Sequence, residues 1–250
     1  MNPIVEIIIL LVVGFVAGAI NTMAGGGSLL SLPILIFLGL PPNIANGTNR
    51  IAIIFQNVFT TAGFKSKGVI TFPFSIYVGI SALFGSILGA QIAVDIKGET
   101  FNKILAFIMV LVVLYMVLKS KSKNIQAIER TSGKHLWLSI VLFFFVGVYG
   151  GFIQAGVGFI MLLILSSINN ISLVKSNAIK VTVALIYTIA AVVVFAYNNS
   201  INWKVGLILA LGNATGGWFA SRWSVDKGDS LIKKFLIVMV IIMAIKLWFF

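Results

Sequence analysis

Apolar runs of about 17–22 residues, parted by short polar joints, recur along this chain, which is the pattern of transmembrane helices. A membrane β-barrel would alternate apolar and polar positions within roughly 10-residue segments, and that alternation is absent. Ten apolar segments can be drawn. The first five are Pro3–Ile20, Ser28–Leu40, Ile44–Phe64, Phe72–Val94 and Phe101–Leu118. After a basic joint come His135–Phe152, Gly158–Ile168, Ala178–Tyr197, Trp203–Trp223 and Leu231–Phe249. The pattern predicts an all-α, polytopic membrane protein.

Segments two and seven are too short. Ser28–Leu40 as a helix covers roughly 20 Å at 1.5 Å per residue, against a hydrocarbon core of ~30 Å. Each short segment follows a glycine cluster, Gly25 to Gly27 in one case and Gly156 with Gly158 in the other. The glycine loops are therefore expected inside the membrane. Non-helical backbone is tolerated there only when buried in protein or lining a water-filled cavity.

The same order of features recurs in the two halves, which points to an internal duplication. Gly14 and Gly18 match Gly147 and Gly151, and Asn21 matches Gln154. Gly85 and Gly89 match Gly212 and Gly216, and Lys103 and Lys233 each open the last helix of a half. A basic residue follows the glycine clusters at Arg50 and at Lys180. The expected organisation is a first transmembrane repeat at 1–118, a basic cytoplasmic linker at 119–134 and a second repeat at 135–250. The paired glycines at spacing four are read as close helix packing.

Charge bears on orientation. If all ten segments cross, thirteen Lys and Arg lie in the joints of one side and five on the other, with Arg50 among the five and Lys180 among the thirteen. If segments two and seven are re-entrant, the split is nine and nine. The positive-inside bias favours the first scheme, with inverted repeats and both termini outside. The first apolar run lacks a basic stretch before it and leads into further spans, so a first helix is expected and not a cleaved signal.

Composition agrees and removes several function classes. The chain is 60% hydrophobic and 10% charged, with mean hydropathy +1.11, against roughly 25% charged in a soluble domain. The net charge of +12 sits in the joints, as cytoplasmic loops require, so nucleic acid is not an expected partner. Zero cysteines and a single histidine, His135, exclude disulfides, thiolate metal sites and histidine clusters. No metal or cofactor is expected. Asp95, Glu99, Glu129, Asp226 and Asp229 fall in joints and Glu6 near a helix end, so no carboxylate stands mid-span. Without acid, base or metal ligands in the membrane, an intramembrane enzyme is not expected.

What remains in the membrane is a set of neutral donors and two cations, a balance that suits an anion. Glycines expose bare N–H groups, and a helix N-terminus adds partial positive charge. Asn21, Thr22, Gly25, Gly26, Gly27 and Ser28 form one candidate half-site, with Gln154, Gly156 and Gly158 as its counterpart. Asn46, Gly47, Thr48, Asn49 and Arg50 form a second polar cluster, with Thr48, Asn49 and Arg50 as candidate site residues, matched by Ser176, Asn177 and Lys180. Two readings of Arg50 stand: an interfacial arginine that snorkels, or a planar fork that receives an oxyanion. Paired short, glycine-interrupted segments are the sequence sign of a transporter's midplane site. A carrier and a passive anion channel both fit, the lipid bilayer being the other partner and the oligomeric state open.

The residues also resemble a known family, the sulfite exporter TauE/SafE membrane permeases. The resemblance is carried by GFVAGAINTMAGGGSLLSLPIL (Gly14–Leu35), GLPPNIANGTNR (Gly39–Arg50) and the degenerate GVYGGFIQAGVGFIMLLIL (Gly147–Leu165). It implies a multi-pass cytoplasmic-membrane secondary transporter of a small sulfur oxyanion or organosulfonate, working by alternating access. The second copy departs from the family pattern at Val157 and Lys180.

Overall fold

The computed structural model describes residues 3–96, 99–100, 103–104, 107 and 128–249, with side chains described up to residue 228. Eight helices are found among them. They are α1 (Pro3–Met23), α2 (Ser28–Phe37), α3 (Pro42–Ser66), α4 (Phe74–Asp95), α5 (Gly133–Phe152), α6 (Val157–Ser167), α7 (Leu173–Tyr197) and α8 (Trp203–Phe249). No strand occurs among the described residues. Most of the expected fifth segment, Phe101–Leu118, and most of the basic linker lie outside the described residues.

The expected helices appear near their expected places, and the differences have local causes. α3 begins at Pro42 because proline is pre-set for the first helical turn and its missing N–H costs nothing there. Asn46 to Arg50 therefore stand inside α3, as they do in the expected segment Ile44–Phe64. The ninth and tenth segments are merged in α8, interrupted at Gly228, which adopts φ 71 and ψ −171. Four helices, α1, α4, α5 and α7, are long and apolar enough to cross a membrane. α2 and α6 have 10 and 11 residues, about 15–17 Å of helix and half a bilayer core.

Two helix pairs approach at backbone distance. On α1, Gly14 and Gly18 face Leu209, Gly212 and Asn213 of α8, and Gly216 of α8 faces Phe15. On α4, Gly85 and Gly89 face Phe144 and Val148 of α5, while Gly147 and Gly151 of α5 face Ala82 and Ser86. A Cβ at Gly89 would stand 1.9 Å from the Val148 carbonyl oxygen, so these rows tolerate only glycine. Lipid supplies no hydrophobic drive between helices, and small residues replace it with close packing. The glycine pairs expected to pack helices do so.

α3 packs on α8 and α7, α4 packs on α7, and the short helices α2 and α6 lie against α3 and α7. The apolar core is divided accordingly. Leu29, Leu32 and Leu35 of α2 join Leu10, Ala52 and Leu209, and Met161, Ile164 and Leu165 of α6 join Phe143, Val183 and Tyr187. Both short helices are thus covered by protein on most sides. At the rim, Lys67 pairs with Asp226 at 2.6 Å and Lys175 with Glu129 at 2.7 Å.

Candidate functional site

The glycine loops are buried, and they meet. Gly25, in the left-handed region at φ +87, lies against Gly158, and a Cβ on either would fall 2.3 Å from the other's Cα. Gly26 lies against the Phe159 ring, and Gly27 against the Ala17 carbonyl. Gly156 takes φ 76 and stands as N-cap of α6. The loop-to-helix junctions of the two halves touch backbone to backbone at the centre of the bundle.

Each junction begins at a helix C-terminus, whose last carbonyls lack intrahelical partners. α1 turns off through Ala24 and Gly25, which both donate to Ile20, leaving the carbonyls of Asn21, Thr22 and Met23. Lys180 of α7 fills this gap, with Nζ 2.7 Å from the Asn21 oxygen and 2.9 Å from that of Thr22. Asn177 donates from Nδ2 to the Met23 oxygen at 3.1 Å and accepts from Lys180. α5 ends the same way, with Ile153 and Gln154 both donating to Tyr149. Its last three carbonyls, Gly150, Gly151 and Phe152, accept from Arg50 of α3 at 2.9, 2.6 and 3.3 Å. Asn46 donates from Nδ2 to the Phe152 oxygen at 2.7 Å. Each cation, with an asparagine three or four residues before it, caps a helix from the other half of the chain.

Neither cation reaches water. Arg50 is fully buried, Lys180 is 3% exposed, and no carboxylate is buried among the described residues. The partial negative charge of a helix C-terminus is the compensation available to each. Arg50 also donates to Gln154 Oε1 at 2.9 Å and to Asn46 Oδ1 at 3.3 Å, with its guanidinium 4.8 Å from the centre of the Phe195 ring. Its burial excludes the snorkelling reading. With Arg50 and Lys180 both buried, neither counts as a loop charge, and the expected thirteen-to-five split of the ten-crossing scheme loses one from each group.

The other candidates divide. Asn21 donates to Gln56 Oε1 at 2.9 Å, and Thr22 bonds Gly18, Gln56 and Thr60 in a buried polar knot between α1 and α3. Asn49 ties α3 to the start of α2, donating to Ser28 Oγ at 3.3 Å and accepting from Ser31 Oγ at 2.7 Å. Gln154, held at φ 65, bridges Arg50 to Thr188. Thr48 and Ser176 are not brought to the junctions by their hydroxyls. Thr48 accepts from the Asn202 N–H at 2.8 Å, and Ser176 donates to the Ile171 carbonyl at 3.3 Å.

Asn46, a member of the second polar cluster, and Gln56 and Thr60 complete these networks, and only Thr60 escaped notice in the sequence. Their signal in the sequence was the helical spacing of polar residues in α3, at 46, 49, 56 and 60, inside an apolar neighbourhood.

A helical bundle with at least four membrane-length helices, two half-length helices and a buried polar centre defines an integral membrane protein of the multi-pass class. The chain belongs to the sulfite exporter TauE/SafE family, whose profile matches residues 10–247. It is similar to a probable membrane transporter protein of Haemophilus influenzae, 29% identical over 96% of this chain and 93% of that one. It is also similar to the probable membrane transporter protein ORF9 of a Sinorhizobium species, 28% identical over 95% of this chain and 90% of its relative. Probable membrane transporter protein YfcA of Escherichia coli K12 is 25% identical over 96% and 88%. No solved structure matches the chain.

Proposed function

We propose that this protein is a secondary transporter of the cytoplasmic membrane that carries a small anion, a sulfur oxyanion or organosulfonate, by alternating access. One observation carries the reading: two cations, Arg50 and Lys180, are buried at the centre with carbonyl dipoles and no buried carboxylate around them among the described residues. A site with that charge balance repels cations and gains energy from a negative ligand. Asn21, Thr22, Gly25 to Ser28, Gln154, Gly156 and Gly158 are the surrounding donors on this reading. Asn177 and Asn49 hold the frame, and Thr48 and Ser176 act from the second polar clusters as joint-holding residues.

The contacts support two related repeats. Gly14 and Gly18 of α1 lie against Gly212 and Asn213 of α8, while their counterparts Gly147 and Gly151 of α5 lie against Ala82 and Ser86 of α4, the helix that carries Gly85 and Gly89. Arg50 caps α5 as Lys180 caps α1. Both rim ion pairs, Lys67 with Asp226 and Lys175 with Glu129, join stretches that the inverted scheme puts on one side. The backbone contact of Gly25 with Gly158 leaves no passage between the junctions, which favours a carrier over an open channel.

Uptake of labelled sulfite, thiosulfate and sulfoacetate into proteoliposomes tests the function. A carrier gives saturable flux that rises when unlabelled anion is loaded on the far side. Flux that is linear in concentration and indifferent to that loading would establish a channel instead, and absence of flux for every anion would defeat the reading.

A further inference from the structure

Buried polar atoms in proteins nearly always have partners, and those without one call for an explanation. Among the described side chains, the buried atoms without a hydrogen bond are Arg50 Nε, both amide atoms of Asn57, Thr61 Oγ1 and the Tyr187 hydroxyl. All belong to α3 or α7. Three of those residues, at 50, 57 and 61, lie along one side of α3 within about 40° of each other, a stripe roughly 16 Å long.

The neighbours of that stripe are known at both ends. Arg50 stacks over Phe195 of α7, and Phe64, on the same side of α3, packs with Ala178 and Val181 of α7. The two helices therefore run antiparallel, and the interval from Arg50 to Phe64 equals that from Phe195 back to Val181. Asn57, at the midpoint, falls level with Thr188, next to Tyr187. Tyr187 is fully buried, with its ring and hydroxyl 3.0–3.1 Å from where a Cβ of Gly150 would stand, and Gly150 is the residue whose carbonyl Arg50 holds. No hydrogen bond of ordinary length and angle reaches the Tyr187 hydroxyl.

Four of the five unpartnered atoms can donate: Arg50 Nε–H, the Asn57 amide N–H, the Thr61 O–H and the Tyr187 O–H. Unpaired buried donors are costly, and donors left open at one level of two packed helices are what an anion would complete. We propose that the transported oxyanion is bound at the crossing of α3 and α7, with Asn57 and Tyr187 as its recognition donors. This deepens the anion-transport reading above and rests on it. The ligand class is a small anion with several acceptor oxygens. Asn57 and Tyr187 occupy equivalent places, seven residues past Arg50 and past Lys180, so each half contributes one donor.

The test uses purified full-length protein, with sulfite, sulfate, thiosulfate and sulfoacetate as probes, read by thermal melting with and without each anion. The variants are Tyr187→Phe and Asn57→Leu, which keep shape and remove only the polar atoms. Without anion, both variants should melt at or above the wild-type temperature, because an unpaired buried polar group has been removed. The anion concentration that gives half the wild-type stabilisation should rise about tenfold or more, the loss of one hydrogen bond to a charged ligand. Wild-type concentration dependence in both variants would overturn the assignment while leaving the transport reading intact. A marked loss of stability without anion would also overturn it, showing that these groups pack and do not wait for a ligand. A wild-type protein that responds to none of the four anions would remove both the assignment and the anion-transport reading.

Discussion

Lys180 Nζ sits 2.7 Å from the carbonyl oxygen of Asn21, a residue 159 positions earlier in the chain. The bond joins α7 to the end of α1, the helix before the first glycine cluster. Arg50 and the Gly151 oxygen, 2.6 Å apart, form its counterpart. Two buried helix ends are thereby closed by cations from the opposite half.

Removing Lys180 should destabilise the fold. Lys180→Met keeps the stem and deletes the ammonium, leaving the Asn21 and Thr22 carbonyls without their partner. Leaving buried acceptors unsatisfied costs about 1–3 kcal/mol. A thermal melt in detergent should fall by several degrees, and an unchanged melting temperature would show that the two carbonyls find other donors.

Arg50→Lys separates charge from geometry. Arg50 reaches five acceptors: the oxygens of Gly150, Gly151 and Phe152 and the side chains of Asn46 and Gln154. Lysine offers only three donors on a point charge, so the end of α5 should lose part of its cap. Stability should fall by about 1–3 kcal/mol although the charge is kept. Equal melting curves for wild type and Arg50→Lys would mean that charge alone is needed at this position.

The junction contact predicts a contrast between two glycines. In Gly158→Ala, the new Cβ would stand 2.3 Å from the Gly25 Cα, and backbone cannot yield as a side chain does. Overpacking of about 1–3 kcal/mol is expected, with loss of anion uptake as the junctions separate. Gly39, at φ +95, has no atom within 4 Å of a built Cβ. Gly39→Ala should cost only about 1–2 kcal/mol of left-handed strain and leave uptake unchanged. Equal uptake by the two variants in proteoliposomes would contradict the central role of the Gly25–Gly158 contact.

Lys67→Ala serves as the comparison at the rim. Lys67 and Asp226 are 2.6 Å apart, but their side chains are 27% and 52% exposed. Exposed pairs contribute roughly 0–1 kcal/mol and weaken with salt. The melting temperature should move little. A loss as large as that of Lys180→Met would place this pair in a drier setting than its exposure indicates.

Much of the centre was legible because its cues are local. Short apolar runs behind glycine clusters announced α2 and α6, and the glycine pairs at spacing four announced the close helix contacts. Arg50, Lys180, Gln154 and Asn177 stood out as polar residues in apolar surroundings. Thr48 and Ser176 stood out equally, yet their hydroxyls serve neighbouring joints. Tyr187 gave no cue, since a tyrosine inside a span reads as an apolar residue until its hydroxyl is found buried without a partner.

The sequence by itself determined the membrane class, the helix positions, the two short segments and the absence of mid-span carboxylates. These follow from side-chain hydrophobicity and backbone freedom, which each residue carries wherever the chain folds. Only the tertiary structure decided that Gly25 abuts Gly158, that Arg50 closes α5 and Lys180 closes α1, and that unpaired donors gather on α3 and α7. A helix end leaves its last carbonyls open without naming the group that will close them. Here the closing groups lie 100 to 159 residues away, and packing alone brings them there.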